Sequence, residues 1–217
     1  MSTKPLPLTT ELHAYLVAHG SAPDEIVREL AEETRAVLPA EAGMRVAPEQ
    51  AAFLTFLTRL VGVRQAVEVG TSTGLLSLAI ARGLVDGGRL TCFDVSGEHA
   101  GVARRYWGRA GVADRIDLRV GPVADALREL PGERYLDFAF LDGDQVGYPV
   151  YWDELVPRMR SGAVIAVGGT LRAGRVLAPR DADDRAIAAF NDEVVADARV
   201  EAVMLPVADG VTLARVR

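Results

Sequence analysis

The segment Glu68-Val69-Gly70-Thr71-Ser72-Thr73-Gly74 joins an apolar run to an amphipathic one, and its residue types suit a ligand loop. Gly70 permits a tight turn and close backbone approach, and Gly74 lets a following helix pack closely. The start of that helix offers amides with no partner of their own. The next apolar run ends at Asp94, whose carboxylate can accept two hydrogen bonds from ribose hydroxyls. A dinucleotide loop reads G-x-G-x-x-G, whereas this one reads G-x-x-x-G behind an acid. Glu68 would repel a diphosphate and attract an ammonium group. S-adenosylmethionine, with an amino acid end and no phosphate, is therefore the cofactor these residues suit. Glycines after a strand also make ordinary turns, and it is the pairing of Glu68 with Asp94 that points to a ligand.

These residues must be positioned by a sheet. Short apolar runs at 65–69, 89–94, 115–120, 135–141 and 162–167 alternate with amphipathic stretches near 74–83, 97–110, 122–130, 150–160 and 183–196. That is the pattern of a doubly wound α/β fold with parallel strands, in which ligands bind at the C-terminal strand ends. Runs at 199–206 and 211–216 flank Asp209-Gly210, a natural hairpin turn, so an antiparallel pair is expected to end a seven-stranded sheet. Three helices come first. One has a Leu12, Tyr15, Leu16 stripe with Gly20 as C-cap, and one opens at Ser21 with Asp24 and buries Ile26, Val27 and Leu30. The third starts at Pro48 and turns Phe53, Leu54, Leu57 and Leu60 inward. The expectation is one domain over 1–217, with 1–62 a helical cap and dimerisation extension and 63–217 the cofactor-binding core.

Across most of the chain the motifs resemble the caffeoyl-CoA and catechol O-methyltransferase-like family of class I S-adenosylmethionine-dependent methyltransferases. They are Met44-Arg45-Val46-Ala47-Pro48-Glu49-Gln50, the Glu68–Gly74 loop, Asp94, Ala103-Arg104-Arg105-Tyr106-Trp107, Gly121-Pro122, Phe140-Leu141-Asp142, Gly174-Arg175-Val176 and Asp209-Gly210-Val211-Thr212-Leu213-Ala214. The resemblance implies a Rossmann-like sheet ending in an antiparallel hairpin, S-adenosylmethionine as cofactor and a homodimer. It implies that Glu68 serves the methionine end and Asp94 the ribose. Gly70 and Thr71 would line the loop, Met44 and Val46 would cover the cofactor, and Val123 would lie near adenine.

The same resemblance implies a divalent cation held by Asp142 and by an Asp-Asn pair after the fifth strand, with a lysine nearby. In this chain Gly168-Gly169 stands at the pair, Gln145 at the lysine, and Gly147 at a usual asparagine. One carboxylate plus water is a weak site for a hard cation. The expectation is thus O-methyl transfer to a small molecule without a divalent metal. Two alternatives stay open: a metal site built from other acids such as Asp144, or a family member that has lost methyl transfer or uses its pocket for another reaction.

Asp142 and Asp144, at the end of the fourth strand, are the candidate catalytic bases, although acids there also simply hold loop amides. Asp142 also borders the expected cofactor site. Arg172 and Arg175 follow the fifth strand and suit either an anionic substrate group or a solvated surface position. Tyr148, with Tyr151 and Trp152, suits an aromatic pocket or helix packing. His13 and His19 read as surface or dimer-contact residues, His99 as a neighbour of adenine, and Cys92 as a buried apolar side chain.

Composition sets the outer bounds. The 217 residues are 49% apolar and 25% charged, which allows a real core, and the net charge of -6 disfavours a nucleic-acid partner. One cysteine excludes an internal disulfide framework, and no apolar run is long enough to cross a membrane. Without an export signal, the expected location is the cytoplasm.

Overall fold

The computed structural model describes residues 6–38 and 47–217. Three helices, α1 (Thr10–Ala18), α2 (Glu25–Val37) and α3 (Pro48–Val61), precede an alternating series. This runs β1 (Gln65–Val69), α4 (Leu75–Gly83), β2 (Arg89–Asp94), α5 (Ala100–Arg109), β3 (Ile116–Val120), α6 (Val123–Arg128), β4 (Leu136–Leu141), α7 (Tyr148–Leu155) and β5 (Met159–Gly168). It closes with α8 (Ala182–Ala196), β6 (Val200–Leu205) and β7 (Val211–Val216). The seven strands lie in the order β3-β2-β1-β4-β5-β7-β6. The first five strands pair in parallel, and β7 is antiparallel to both β5 and β6, as the alternation of apolar runs predicts.

Strand order reverses at β1, which pairs with β2 on one side and β4 on the other. Their C-terminal ends therefore diverge around a crevice, where ligands bind in such sheets. Both faces are covered. Val67, Val69, Leu141 and Ile165 pack against α6, α7 and α8, while Ala66, Cys92, Phe138 and Phe140 pack against α3, α4 and α5. Cys92 is fully buried, as expected, and burial pushes its thiol well above the ordinary range.

Several boundaries move. The helix expected over 150–160 spans Tyr148–Leu155, and a 3-10 turn at Val156–Arg158 leads into β5 at Met159. Pro157 lacks the amide a continuing helix needs. Helix α2 is capped by Asp24, which accepts from the Val27 amide at 3.0 Å, rather than opening at Ser21. The α1 stripe is not buried: Tyr15 and Leu16 are exposed, and His19 rather than Gly20 caps the helix. On α3, Leu54 and Leu57 face the core, but Leu60 is 71% exposed. A helix turns about 100° per residue, so six residues carry Leu60 far from Leu54 and place it above Phe56, also exposed.

Candidate active site

The loop between β1 and α4 is held from three sides. Gly70 (φ +92°) donates to the Phe93 carbonyl at 2.8 Å, and a Cβ there would run into the Asp142 backbone. Gly74 (φ +78°) caps α4, and its carbonyl accepts from Trp107 Nε1 at 2.9 Å. A Cβ at this position would lie 2.7 Å from that of Ala103. The glycines thus serve the close approach and helix packing that their spacing predicts. Asp94 holds the third side: its Oδ2 accepts from the Thr71 and Ser72 amides at 2.8 and 2.7 Å, and its Oδ1 from the Ser96 amide at 2.9 Å. Sequence reasoning assigns this carboxylate to a ribose. In the structure it also clamps the loop, and Oδ1 retains capacity for a further donor.

Above these strand ends opens a cavity of about 420 Å³, within the usual range for small-molecule and cofactor sites. Gly70, Thr71, Asp94 and Val123 line it, with His99 at the same side. Asp142, Asp144 and Arg172 line it as well, beside Gln145, Gly169 and Asp209. Gln50 from α3, the last residue of the Met44–Gln50 motif, also faces it, as does Thr34 from α2, which belonged to no motif. Met44 and Val46 lie outside the described residues.

Other candidates sit behind the cavity wall. Glu68 is fully buried under the loop, where Ser77 Oγ donates to its Oε2 and its Oε1 has no partner. Burial, with Asp142 and Asp94 nearby, raises its pKa to about 7 against the opposing hydrogen bonds of Ser77 and Cys92. Ser77 was missed, though a lone serine inside the apolar stretch Leu75–Ala81 was a usable signal. The Tyr148 ring lies in the core, edge-on to Phe190, and not on the cavity wall. Trp152 packs on Phe190 too and donates to Asp197 at 2.9 Å, which resolves it as helix packing. Arg175 reaches buried Asp184 at 2.9 Å rather than the cavity. His13 pairs with Glu49 at 2.9 Å, and His19 stacks on Tyr15.

The two acids after β4 differ. Asp144 accepts from the Gly147 amide at 3.0 Å and from the Tyr151 hydroxyl at 2.6 Å, so both its oxygens are engaged. No side-chain hydrogen bond engages Asp142 among the described residues; burial, and secondarily the charge of Asp209, pushes its carboxyl up to about 6. An acid with its oxygens uncommitted and a pKa near the working range is suited to accept a proton.

The residues present suit the expected cofactor better than the cation that the family resemblance implies. The cavity size, the orphaned Thr71 Oγ1 and Glu68 Oε1, and the Asp94 clamp fit a nucleoside with an amino acid end. At Gly168, which the family resemblance aligns with a metal ligand, a Cβ would lie 2.5 Å from Asp142 Oδ1, so a side chain there would face that carboxylate. Glycine supplies none. No group of three or more His, Cys, Asp or Glu able to hold a metal occurs among the described residues, and this donor set does not fit a divalent cation.

An O-methyltransferase family model matches residues 18–217. Caffeoyl-CoA O-methyltransferase from Mesembryanthemum crystallinum is 34% identical over 79% of this chain and 72% of its own. An O-methyltransferase from Bacillus cereus, solved in complex with SAH, is 31% identical, with a TM-score of 0.85 over 96% of this chain and 98% of that one. An O-methyltransferase from Streptomyces achromogenes involved in tomaymycin synthesis, solved in complex with SAM, is 28% identical, with a TM-score of 0.83 over 95% and 96%. Fold and site together define an S-adenosylmethionine-dependent methyltransferase. The chain belongs to the O-methyltransferase family, and its activity class is S-adenosylmethionine-dependent O-methyl transfer.

Proposed function

We propose that this enzyme methylates a hydroxyl of a small-molecule acceptor without a divalent cation, with Asp142 as general base. The observation that carries this reading is the pairing of an uncommitted Asp142 carboxylate on the cavity wall with glycines at 168 and 169, where metal-ligating side chains would stand. S-adenosylmethionine, when bound, supplies a methyl group already activated by its sulfonium. The chain must then align the acceptor and take up its proton. Asp142 accepts the hydroxyl proton, and Gly169, which lines the cavity without a side chain, leaves room for the acceptor nearby. Asp94 offers Oδ1 to the ribose, Gly70 and Thr71 border the cofactor, Val123 meets the adenine, and Glu68 places negative charge behind the loop toward the ammonium group. Gly74 acts through packing. Met44 and Val46 cover the cofactor on the strength of the family resemblance alone.

Asp144 positions the segment after β4 through Gly147 and Tyr151 and is the second candidate base. The chain acts as one catalytic unit over 1–217, in the cytoplasm, on small molecules rather than nucleic acid. None of the described helices is long and apolar enough to cross a membrane. Exposed Phe56 and Leu60 on α3, with Tyr15 and Leu16 on α1, support a homodimer built through the N-terminal helices.

The test is transfer of a labelled methyl group from S-adenosylmethionine to a panel of phenols by chelator-treated enzyme, with and without Mg²⁺. Equal transfer in both conditions is expected. Activity that appears only with Mg²⁺ would favour a metal site of other ligands, and cofactor binding without transfer to any acceptor would favour a member that has lost the reaction.

A further inference from the structure

Beneath the cavity floor lies a closed polar cluster. Glu68 on β1 is fully buried, and so are Ser77 on α4 and Cys92 on β2. Ser77 Oγ donates to Glu68 Oε2, the Cys92 thiol neighbours the same carboxyl, and Glu68 Oε1 has no partner among the described residues. The cluster reaches the ligand side through Thr71. This residue is 6% exposed, lines the cavity, lies beside Cys92 and carries an Oγ1 that has no partner either. Native interiors satisfy nearly all such atoms, so two orphaned oxygens in one cluster at the edge of a cavity mark a place that a bound molecule completes.

No cation offsets Glu68. The titratable groups that face it are Cys92 and Asp94 from β2 and Asp142 after β4, while α4 contributes the Ser77 hydroxyl. No Lys, Arg or His stands among them in the described residues. An ionised carboxylate without a counter-charge is costly to bury, and such a group keeps its proton instead. Burial and the two neighbouring acids accordingly raise Glu68 to about 7 in the empty protein. A ligand that brings positive charge to the loop removes that cost, because an opposite charge nearby favours the ionised form.

We propose that Glu68 is a proton-linked specificity-determining residue: it is neutral in the empty protein and ionises, releasing its proton to solvent, when the ammonium group of the cofactor's amino acid end binds above the loop. This rests on the S-adenosylmethionine reading of the same cavity. Charge balances, since one carboxyl proton leaves as one ammonium arrives. A nucleoside without the amino acid end offers no such compensation, so the site tells the two apart less and less as the pH falls.

The test compares S-adenosylhomocysteine with 5′-methylthioadenosine, which shares its nucleoside and thioether but has no ammonium group. Both are titrated by calorimetry in buffers of differing ionisation enthalpy. At pH 7, S-adenosylhomocysteine should release about half a proton and 5′-methylthioadenosine close to none. The affinity of the first relative to the second should rise about 10-fold or more from about pH 5.5 to about pH 7.5. Glu68→Gln keeps an oxygen for Ser77 and should abolish both the release and the rise, with 5′-methylthioadenosine binding to show that it is folded. Asp142→Asn removes the other raised acid of the site and should keep the rise, because the ratio of the two ligands depends on Glu68. The comparison in the wild-type protein stands without either variant. Equal proton release by the two ligands, a ratio independent of pH, or a rise that survives in Glu68→Gln would overturn the assignment and leave the cofactor reading in place. No binding of either ligand would remove both.

Discussion

At the residue scale the two buried acids, Glu68 and Asp142, set the behaviour with pH. Each carries its proton more tightly in the folded chain than in the unfolded one, at about 7 and about 6 against ordinary carboxylate values. Their protonated forms favour the fold, so their contribution is complete below about pH 4 and is lost as pH rises through 6 and 7. The cofactor-free protein should therefore lose stability between about pH 4 and 7, by a few kcal/mol from both groups together. Glu68→Gln should flatten that slope in chemical denaturation, and an unchanged slope would show that Glu68 does not titrate as described. For activity the sign is reversed, because a base must be unprotonated. The rate should rise with pH through about 6, and Asp142→Asn should remove that limb and lower kcat about 10²- to 10⁴-fold. Steady-state pH profiles of the two proteins decide it.

At the element scale, the β1–α4 loop is only as good as the helix beneath it. Gly74→Ala would force a left-handed alanine and a methyl group into Ala103 and Trp107, so it should cost about 1–3 kcal/mol in thermal unfolding and weaken cofactor binding in parallel. A variant with wild-type stability would deny the packing role. This loop, its glycines and Asp94 were legible because parallel strands write themselves as short apolar runs and the strand-end residues follow directly. The two hairpin strands were legible for similar reasons, although their connection runs over residues 206–210 rather than turning at Asp209-Gly210 alone. What stayed hidden depends on distance through space. That Tyr148 packs on Phe190, and that Asp184 gathers Arg172 and Arg175, follows from how α7, α8 and the turn after β5 meet, which no local spacing encodes. The exposed stripe on α1 shows the same limit, for periodicity finds an apolar face without telling what covers it.

At the scale of the whole molecule, the N-terminal helices carry exposed apolar residues that a second copy would cover. Sedimentation should give a particle of twice 23.2 kDa, and Phe56→Glu/Leu60→Glu should shift it to the single chain; a wild-type monomer at all concentrations would remove the dimer. The proposed function joins an O-methyltransferase fold with a cofactor crevice to a reaction without a divalent cation, Gly168 and Gly169 offering no side-chain ligand. Its most direct test is calorimetric titration of the chelator-treated protein with S-adenosylmethionine, repeated with Mg²⁺ present. The proposed function predicts binding, roughly micromolar, that is the same in both titrations. Binding that requires Mg²⁺, or no binding in either, would contradict it.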